Sequence, residues 1–157
     1  MITHTQAIAL AEEAIEMCSV RVGQTLFGVP IMRILEILGK PTTQAVPLAP
    51  SYIGGLVHYR GEVLTTVSLR KLLDMPAVGE PEDILVFEGV DGYFGLLVDE
   101  VDEVITVLPG DFEGNPSTLD DHRKALFAGT YKLKDALLVM LDPERLDPVR
   151  LSETAQG

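Results

Sequence analysis

FGVPIMRILEIL at residues 27–38 and FGLLVDEVDEVI at residues 94–105 are two versions of one segment, 67 positions apart. A second pair follows in the same order: GLVHYRGEVL at residues 55–64 matches GTYKLKDALL at residues 129–138, 74 positions later. The chain therefore contains one structural unit twice, in the order A-B-A′-B′. Each copy has the pattern of strand, hairpin, strand and short helix, which predicts two small β modules packed together. We expect the functional surface to lie where the two modules meet.

Short turns between apolar stretches predict a β-hairpin at the start of each copy. Gly23-Gln24 forms the turn in the first copy, and Val90-Asp91-Gly92 forms it in the second. The segments that follow, residues 31–38 and 98–107, are predicted to be strands, because the second is rich in β-branched residues and both copies should adopt one structure.

The later part of each copy predicts a core strand that ends in a short helix. Val63–Val67 and Leu137–Leu141 are continuous apolar runs, which are typical of strands covered on both faces. Ser68 and Asp142 follow them, and both residue types cap helix N-termini.

The remaining segments are predicted from composition. Residues 6–17 have the apolar stripe of an amphipathic helix that packs against the domain. Residues 75–83 and 109–121 are rich in Pro, Gly and polar residues, and they are predicted to be a connection between the modules and an exposed loop. Residues 152–157 are predicted to be a frayed tail.

Composition restricts the classes of function. The net charge of −12 argues against a nucleic-acid partner, because such binding depends on clustered Lys and Arg. Cys18 is the single cysteine, so it forms no internal disulfide and indicates a reducing compartment. No apolar run approaches the roughly 20 residues of a membrane span, and the N-terminus lacks a signal-peptide pattern. We expect a cytoplasmic protein with no direct membrane insertion.

No catalytic or metal-binding motif stands out. The chain's three histidines lack metal-ligand spacing, and no nucleophile elbow, phosphate-binding loop or dinucleotide fingerprint is present. The acidic group of Asp99, Glu100, Asp102 and Glu103 is best explained by an edge or surface strand. A small enzyme using Glu36, Asp99 or Glu103 as acid and base is the lower alternative. No metal or cofactor is implied.

Glu36 and Arg60 are more informative, because each is a charged residue in or beside an apolar stretch. An unpaired buried charge costs on the order of 3 to 5 kcal/mol, so the two are predicted to pair. The alternative is that Arg60 is a solvated turn residue, and the sequence leaves both open.

Four stretches in order resemble the CheW family of chemotaxis coupling proteins, from about Cys18 to Leu146. They are FGV to ILEI at residues 27–37, IGGLVHYRGEV with SLR at residues 53–70, YFGLLVD with Val101 at residues 93–101, and Ala128-Gly129. The resemblance implies one mostly β CheW-like domain over residues 1–157. It would contain two five-stranded SH3-like barrels, about residues 18–75 and 83–146, related by a pseudo-two-fold axis and packed on a shared core.

The same resemblance implies a non-catalytic adaptor that joins the cytoplasmic tip of methyl-accepting chemoreceptors to the regulatory domain of the histidine kinase CheA. It would be a monomer when free and be recruited to receptor arrays at the membrane. The positions that match the family's receptor-binding or coupling residues are Glu36, Gly55, Arg60, Ile84, Gly95, Val98, Val101 and Gly129. Those that match its kinase-binding barrel end are Ile31, Met32 and Ile34.

The chain departs from the family pattern at three positions. His58, Tyr59 and Ser68 stand where the family has asparagine, leucine and aspartate, and the serine preserves an N-cap. A decoy or antagonist in a specialised array, such as a pilus-motility system, is therefore an alternative within the same binding class.

Overall fold

The computed structural model describes residues 3, 13–39, 42–76, 79–81 and 83–156. The strands in these ranges are β1 (Ile15–Val22), β2 (Thr25–Pro30), β3 (Glu36–Gly39), β4 (Ile53–Tyr59), β5 (Glu62–Ser68), β6 (Asp83–Gly89), β7 (Gly92–Val98), β8 (Glu100–Val107), β9 (Phe112–Glu113), β10 (Phe127–Lys132) and β11 (Leu137–Leu141). The helices are α1 (Leu69–Leu72), α2 (Asp121–Leu126), α3 (Pro143–Leu146) and α4 (Pro148–Gln156). Two 3-10 turns cover Ile31–Arg33 and Pro109–Asp111.

The strands form two sheets, which confirms the predicted mostly β fold. Sheet 1 has the order β3-β6-β7-β5-β4, and sheet 2 has the order β8-β1-β2-β11-β10-β9. Replacing each strand of sheet 1 by its repeat counterpart gives the first five strands of sheet 2 in the same order. The sixth, β9, has only two residues and was not expected.

Each sheet takes a hairpin from the other half of the chain. The β1–β2 hairpin belongs to the first copy, but β1 pairs with β8 and β2 pairs in parallel with β11. The β6–β7 hairpin belongs to the second copy, but it lies between β3 and β5. The predicted boundary between residues 75 and 83 therefore does not separate the sheets, because the two copies exchange their hairpins.

Equivalent bulges confirm that the second segment of the repeat folds the same way twice. The register shifts between Ile53 and Gly55 in sheet 1, and between Phe127 and Gly129 in sheet 2. The two glycines have φ of +117° and +145°, values that favour glycine. The open backbone lets another segment pair with the strand beyond each bulge: Gln44 pairs with β4, and β9 pairs with β10.

The described residues form three apolar clusters, of which one holds the sheets together. The largest is shared between the sheets, whereas the other two each lie on the opposite face of one sheet. Alternate residues of β6 show the pattern: Leu85 and Phe87 enter the shared cluster, and Ile84 and Val86 enter the cluster of sheet 1. Because both faces are covered, the hairpin strands are almost continuously apolar.

The predicted hairpins and helix caps are confirmed. Both hairpins form, and Ser68 and Asp142 cap α1 and α3 through their side-chain oxygens. Cys18 is buried, and burial raises the pKa of its thiol. None of the helices in the described ranges is long and apolar enough to span a membrane.

Other local predictions are wrong. The end of the predicted helix 6–17 is strand, since β1 begins at Ile15; residues 6–12 lie outside the described residues. Pairing with β8 and β2 offers residues 15–17 partners that a local helix lacks. The tail is helical as far as Gln156. The segment 109–121 is exposed along most of its length, as predicted, but it contains a 3-10 turn and β9.

The predicted strand 31–38 and the two core strands also differ from expectation. A 3-10 turn precedes β3, because the chain must pass from sheet 2 to sheet 1 at this point. Val63 and Leu137, at equivalent ends of β5 and β11, are 55% and 59% exposed, so these strands are covered on both faces only further along.

Candidate protein-docking surface

A charged cluster of Glu36, Tyr59, Arg60 and Tyr93 lies where the two edges of sheet 1 meet. Glu36 begins edge strand β3, and Arg60 follows the opposite edge strand β4. The Arg60 Nε atom lies 3.6 Å from Glu36 Oε2, so the sheet curls until its edges approach each other. Arg60 and Gly61 form the tight β4–β5 turn with φ of +50° and +77°, which projects the arginine outward.

Aromatic side chains support this cluster from beneath. The Arg60 guanidinium carbon lies 5.3 Å from the centroid of the Tyr59 ring, and Tyr59 meets Tyr93 edge to face at 5.4 Å. A hydrogen bond with Glu36 raises the pKa of Tyr59, which keeps its hydroxyl protonated as a donor to the carboxylate. The cluster therefore holds one cation and one anion in fixed positions at the protein surface.

Features of both interpretations of Arg60 are present, since it pairs with Glu36 and is also a solvated turn residue. The Arg60 side chain is 70% exposed, and that of Glu36 is 37% exposed. Pairs with this exposure contribute only about 0 to 1 kcal/mol to stability, because water screens them. The charges remain available to a partner.

The substitution Arg60→Ala is therefore expected to lower the free energy of unfolding by less than about 1 kcal/mol. Urea unfolding followed by circular dichroism measures this difference. A loss of about 3 kcal/mol or more would show that the pair acts as a buried one and would contradict the assignment.

An apolar edge leads into the charged cluster. It consists of Met32, Leu35 and Ile37, which are 94%, 47% and 47% exposed. Of the other predicted kinase-binding residues, Ile31 is half-buried and Ile34 packs against the shared core. Within that group of three, Met32 alone is fully presented to solvent.

Three of the predicted coupling residues are internal. Ile84 and Val98 are 0% and 1% exposed, and Gly95 is buried beside Ile84 on the neighbouring strand. A Cβ atom at Gly95 would lie 2.7 Å from Ile84 Cγ2 and 3.1 Å from Leu64 Cδ1, so a side chain there would displace the core of sheet 1. These residues are buried and contribute to the packing of the sheets, so they offer no surface for a partner to contact.

The other three coupling residues are also not surface contacts of the cluster. Val101 is half-buried against the shared core. A Cβ at Gly55 would lie 2.8 Å from the Gln44 carbonyl oxygen, and one at Gly129 would collide with the Phe112 ring. The two glycines lie in different sheets, so the structure does not gather all eight residues at one place.

The carboxylates proposed for an enzyme are held by separate partners. Glu36 pairs with Arg60, whereas Asp99 binds the Arg70 guanidinium and the Gly23 amide. Glu103 is exposed on β8, which is an edge strand as predicted. Among the described residues, no three His, Cys, Asp or Glu side chains are grouped to hold a metal ion.

Sequence reasoning missed two features of this region. Leu35 and Ile37 belong to the apolar edge, and their alternation with Glu36 was a strand signal that could have found them. The Arg70–Asp99 pair joins residues 29 positions apart, and nothing in the local sequence indicates it.

Comparisons with known proteins agree with one another. A family model described as a CheW-like domain matches residues 16–148. The Chemotaxis protein CheW of Rhizobium meliloti (strain 1021) is 30% identical over 143 residues, covering 89% of this chain and 92% of that protein. The Chemotaxis protein CheW of Helicobacter pylori is 29% identical over 137 residues, covering 86% and 82%.

A solved structure has the same fold. The crystal structure of the scaffolding protein TtCheW from Thermoanaerobacter tengcongensis aligns with a TM-score of 0.75 at 24% identity. The alignment covers 84% of this chain and 91% of that one, so it includes both sheets.

Proposed function

This chain belongs to the CheW-like domain family, and we propose that it couples the cytoplasmic tip of chemoreceptors to the regulatory domain of the histidine kinase CheA. The family match over residues 16–148 carries the proposal. Relatives named as chemotaxis proteins that match most of this chain support it.

The surface of sheet 1 supports a division of labour between two partners. The charged cluster offers paired opposite charges on a preorganised aromatic base, which suits the polar and apolar stripes of a receptor helix. The apolar edge offers Met32, Leu35 and Ile37, which suit an apolar face of the kinase domain. Coupling requires that both partners are bound at once.

The mechanism is binding alone. Receptor and kinase are held side by side on sheet 1, whose inner face packs on the core that it shares with sheet 2, so a shift at one surface is transmitted as a movement of the whole body. Gly95 and Ile84 contribute by setting the packing of sheet 1 beneath the charged cluster. The protein works in the cytoplasm, without a cofactor, and reaches the membrane through the receptors that it binds.

Co-sedimentation with receptor-containing membranes and isolated kinase regulatory domain tests this proposal. Arg60→Ala is expected to weaken receptor binding and receptor-dependent kinase control about five- to thirty-fold, with kinase binding retained, because one partly desolvated charge contributes roughly 1 to 2 kcal/mol. Met32→Glu is expected to do the opposite, since it places a charge on the apolar edge.

Lys134→Ala is the matched control, because Lys134 is exposed and occupies the place of Arg60 in the second copy of the repeat. It should leave both interactions within about two-fold of the wild type. Equal loss of both interactions in Arg60→Ala, or no loss in either variant, would contradict the assignment of the two surfaces. Failure of the wild-type protein to sediment with either partner would contradict the proposed function itself.

A further inference from the structure

A cavity of about 440 Å³ lies on the helical side of the molecule, away from the residues assigned above. Its inner wall is made by Leu72 of α1, Leu126 of α2 and Leu151 of α4, which are 4%, 3% and 8% exposed. None of the residues assigned to the receptor or the kinase lines it. The volume is sufficient for one large apolar side chain and its flanking backbone.

The cavity lies where the two copies of the repeat meet. Lys71 and Arg145 line it from equivalent positions, 74 residues apart, and Tyr52 and Leu126 form a second equivalent pair. Each copy thus contributes the same part of its fold to one shared hollow. Neither copy alone would form it.

The mouth of the cavity is cationic in a protein with a net charge of −12. Lys71, Arg145 and Arg150 line it and are exposed, and the nearby carboxylates are Asp74 in the lining and Asp142 beside Arg145, which leaves an excess of one positive charge. Arg145 is fixed in place, because its guanidinium donates to the Phe127 carbonyl at 3.0 Å and lies 3.5 Å from Asp142. A local concentration of positive charge on an acidic protein selects anionic ligands.

An exposed apolar loop leads into the same cavity. Residues 45–50 read AVPLAP, and the next two residues, Ser51 and Tyr52, line the cavity. Leu48 is 105% exposed and has φ of +64°, a backbone conformation that is strained for a bulky residue. A fully exposed leucine in a strained turn contributes no packing that would stabilise this chain. It offers a polypeptide partner an apolar contact outside the cavity, which a small molecule inside the cavity would not reach.

From the leucine wall, the cationic mouth and the adjoining loop, we propose that this cavity docks an acidic segment of a partner protein, which inserts a Leu or Phe side chain among the leucines and places its carboxylates beside Lys71. Hydrogen bonds to carbonyl groups engage Arg145 and the Nε2 atom of His122, which lies 2.7 Å from the Leu72 oxygen. A phosphate site requires several hydrogen-bond donors that converge on one point, and few free donors are grouped here. A single carboxylate of a peptide can be attracted by one nearby positive charge. This surface is independent of the proposed receptor and kinase contacts.

The test uses a fluorescein-labelled peptide with two glutamates on each side of a Leu-Phe pair, titrated with the full chain and followed by fluorescence anisotropy. Saturable binding below about 1 mM is expected. Lys71→Glu should weaken it at least about ten-fold, because it reverses a charge at the mouth. Leu48→Ser should weaken it several-fold.

Matched substitutions elsewhere separate this site from general electrostatics. Lys134→Glu makes the same charge change, and Val90→Ser removes an apolar side chain that is 65% exposed; both lie in other turns and should leave binding within about two-fold. Absence of saturable binding would overturn the proposal, as would equal losses in Lys71→Glu and Lys134→Glu. Displacement of the peptide by millimolar inorganic phosphate would instead show a simple anion site and would also overturn it.

Discussion

Residues 1–79 and 80–157, produced as separate chains, are each expected to lack a cooperative unfolding transition. Mixed in equal amounts, they are expected to recover the fold of the intact protein. The reason is the exchange of hairpins: in the first fragment β3 loses β6, its strand partner, and β5 loses its parallel partner β7. The shared apolar cluster is also divided between the fragments. Each half would expose much of its core, and small chains do not tolerate that loss.

A fragment could escape this result only by folding its hairpin back onto its own copy. The second copy shows why this is unfavourable, since Asp99 alone separates β7 in sheet 1 from β8 in sheet 2. If the β6–β7 hairpin took the place of β1–β2, β8 would have to pair with β6 on the far side of β7. A link of one residue is too short for the chain to cross β6 and β7 in this way.

Far-UV circular dichroism during urea titration is a suitable measurement, because the chain contains no tryptophan for fluorescence. The control is the intact chain cleaved at an engineered protease site between residues 79 and 80 after folding. That cleaved protein should keep its transition. A cooperative transition in either fragment alone, at micromolar concentration, would contradict the hairpin exchange as the source of stability.

The exchange of hairpins explains which parts of the fold could be predicted from the sequence and which could not. The repeat predicts the strands and both hairpins, because turn chemistry and apolar periodicity are local. It does not predict which sheet receives each hairpin, since Phe27 and Phe94 have the same pattern around them and pair with equivalent parallel strands. The single-residue joint at Asp99 disfavours the unexchanged arrangement in the second copy, and this constraint appears only once the strands are placed in space.

The candidate site divides in the same way. The pairing of Glu36 with Arg60 is predicted from the cost of an isolated buried charge, and the structure contains the pair, although its exposure removes that cost. Its exposure does not follow, because that depends on where the edges of sheet 1 meet. Ile15 and Met17 show why secondary structure could not always be predicted from the local sequence. The segment around them fits both a helix and a strand, and its pairing with β8 and β2 determines that it is a strand.

Among the ion pairs of the described residues, the largest effect of a substitution is expected at the clamp of Arg70 and Asp99. Arg70 Nε donates to Asp99 Oδ1 at 3.2 Å, and the Gly23 amide donates to Asp99 Oδ2 at 2.7 Å. The carboxylate thereby ties α1 and the β1–β2 turn to the joint between the sheets. Asp99→Ala or Arg70→Ala should each lower the free energy of unfolding by about 2 to 3 kcal/mol, somewhat less than for a fully buried pair. The discount reflects side chains that remain 15% and 32% exposed.

Acid should weaken the same clamp. Burial alone would raise the pKa of Asp99, but the hydrogen bonds from Arg70 and Gly23 and the charge of Arg70 outweigh it and lower that pKa. A carboxyl group whose pKa is lower in the folded state than in the unfolded state stabilises the folded protein. Its contribution is complete when the pH is above the unfolded-state pKa, here near 3.8, and is lost as the pH falls through the folded-state pKa. The stability difference between wild type and Asp99→Asn should therefore be full at pH 7 and shrink below about pH 4.

Urea unfolding at a series of pH values measures both effects, and the pair of Arg21 with Asp102 is the control. Its Nε and Oδ2 atoms are 3.1 Å apart, but the side chains are 44% and 39% exposed. Arg21→Ala should therefore change the free energy of unfolding by less than about 1 kcal/mol, because solvent screens the pair. If Arg21→Ala and Arg70→Ala cost the same, or if the Asp99→Asn difference is constant from pH 7 to pH 3, the joint between the sheets is held by apolar packing and not by this clamp.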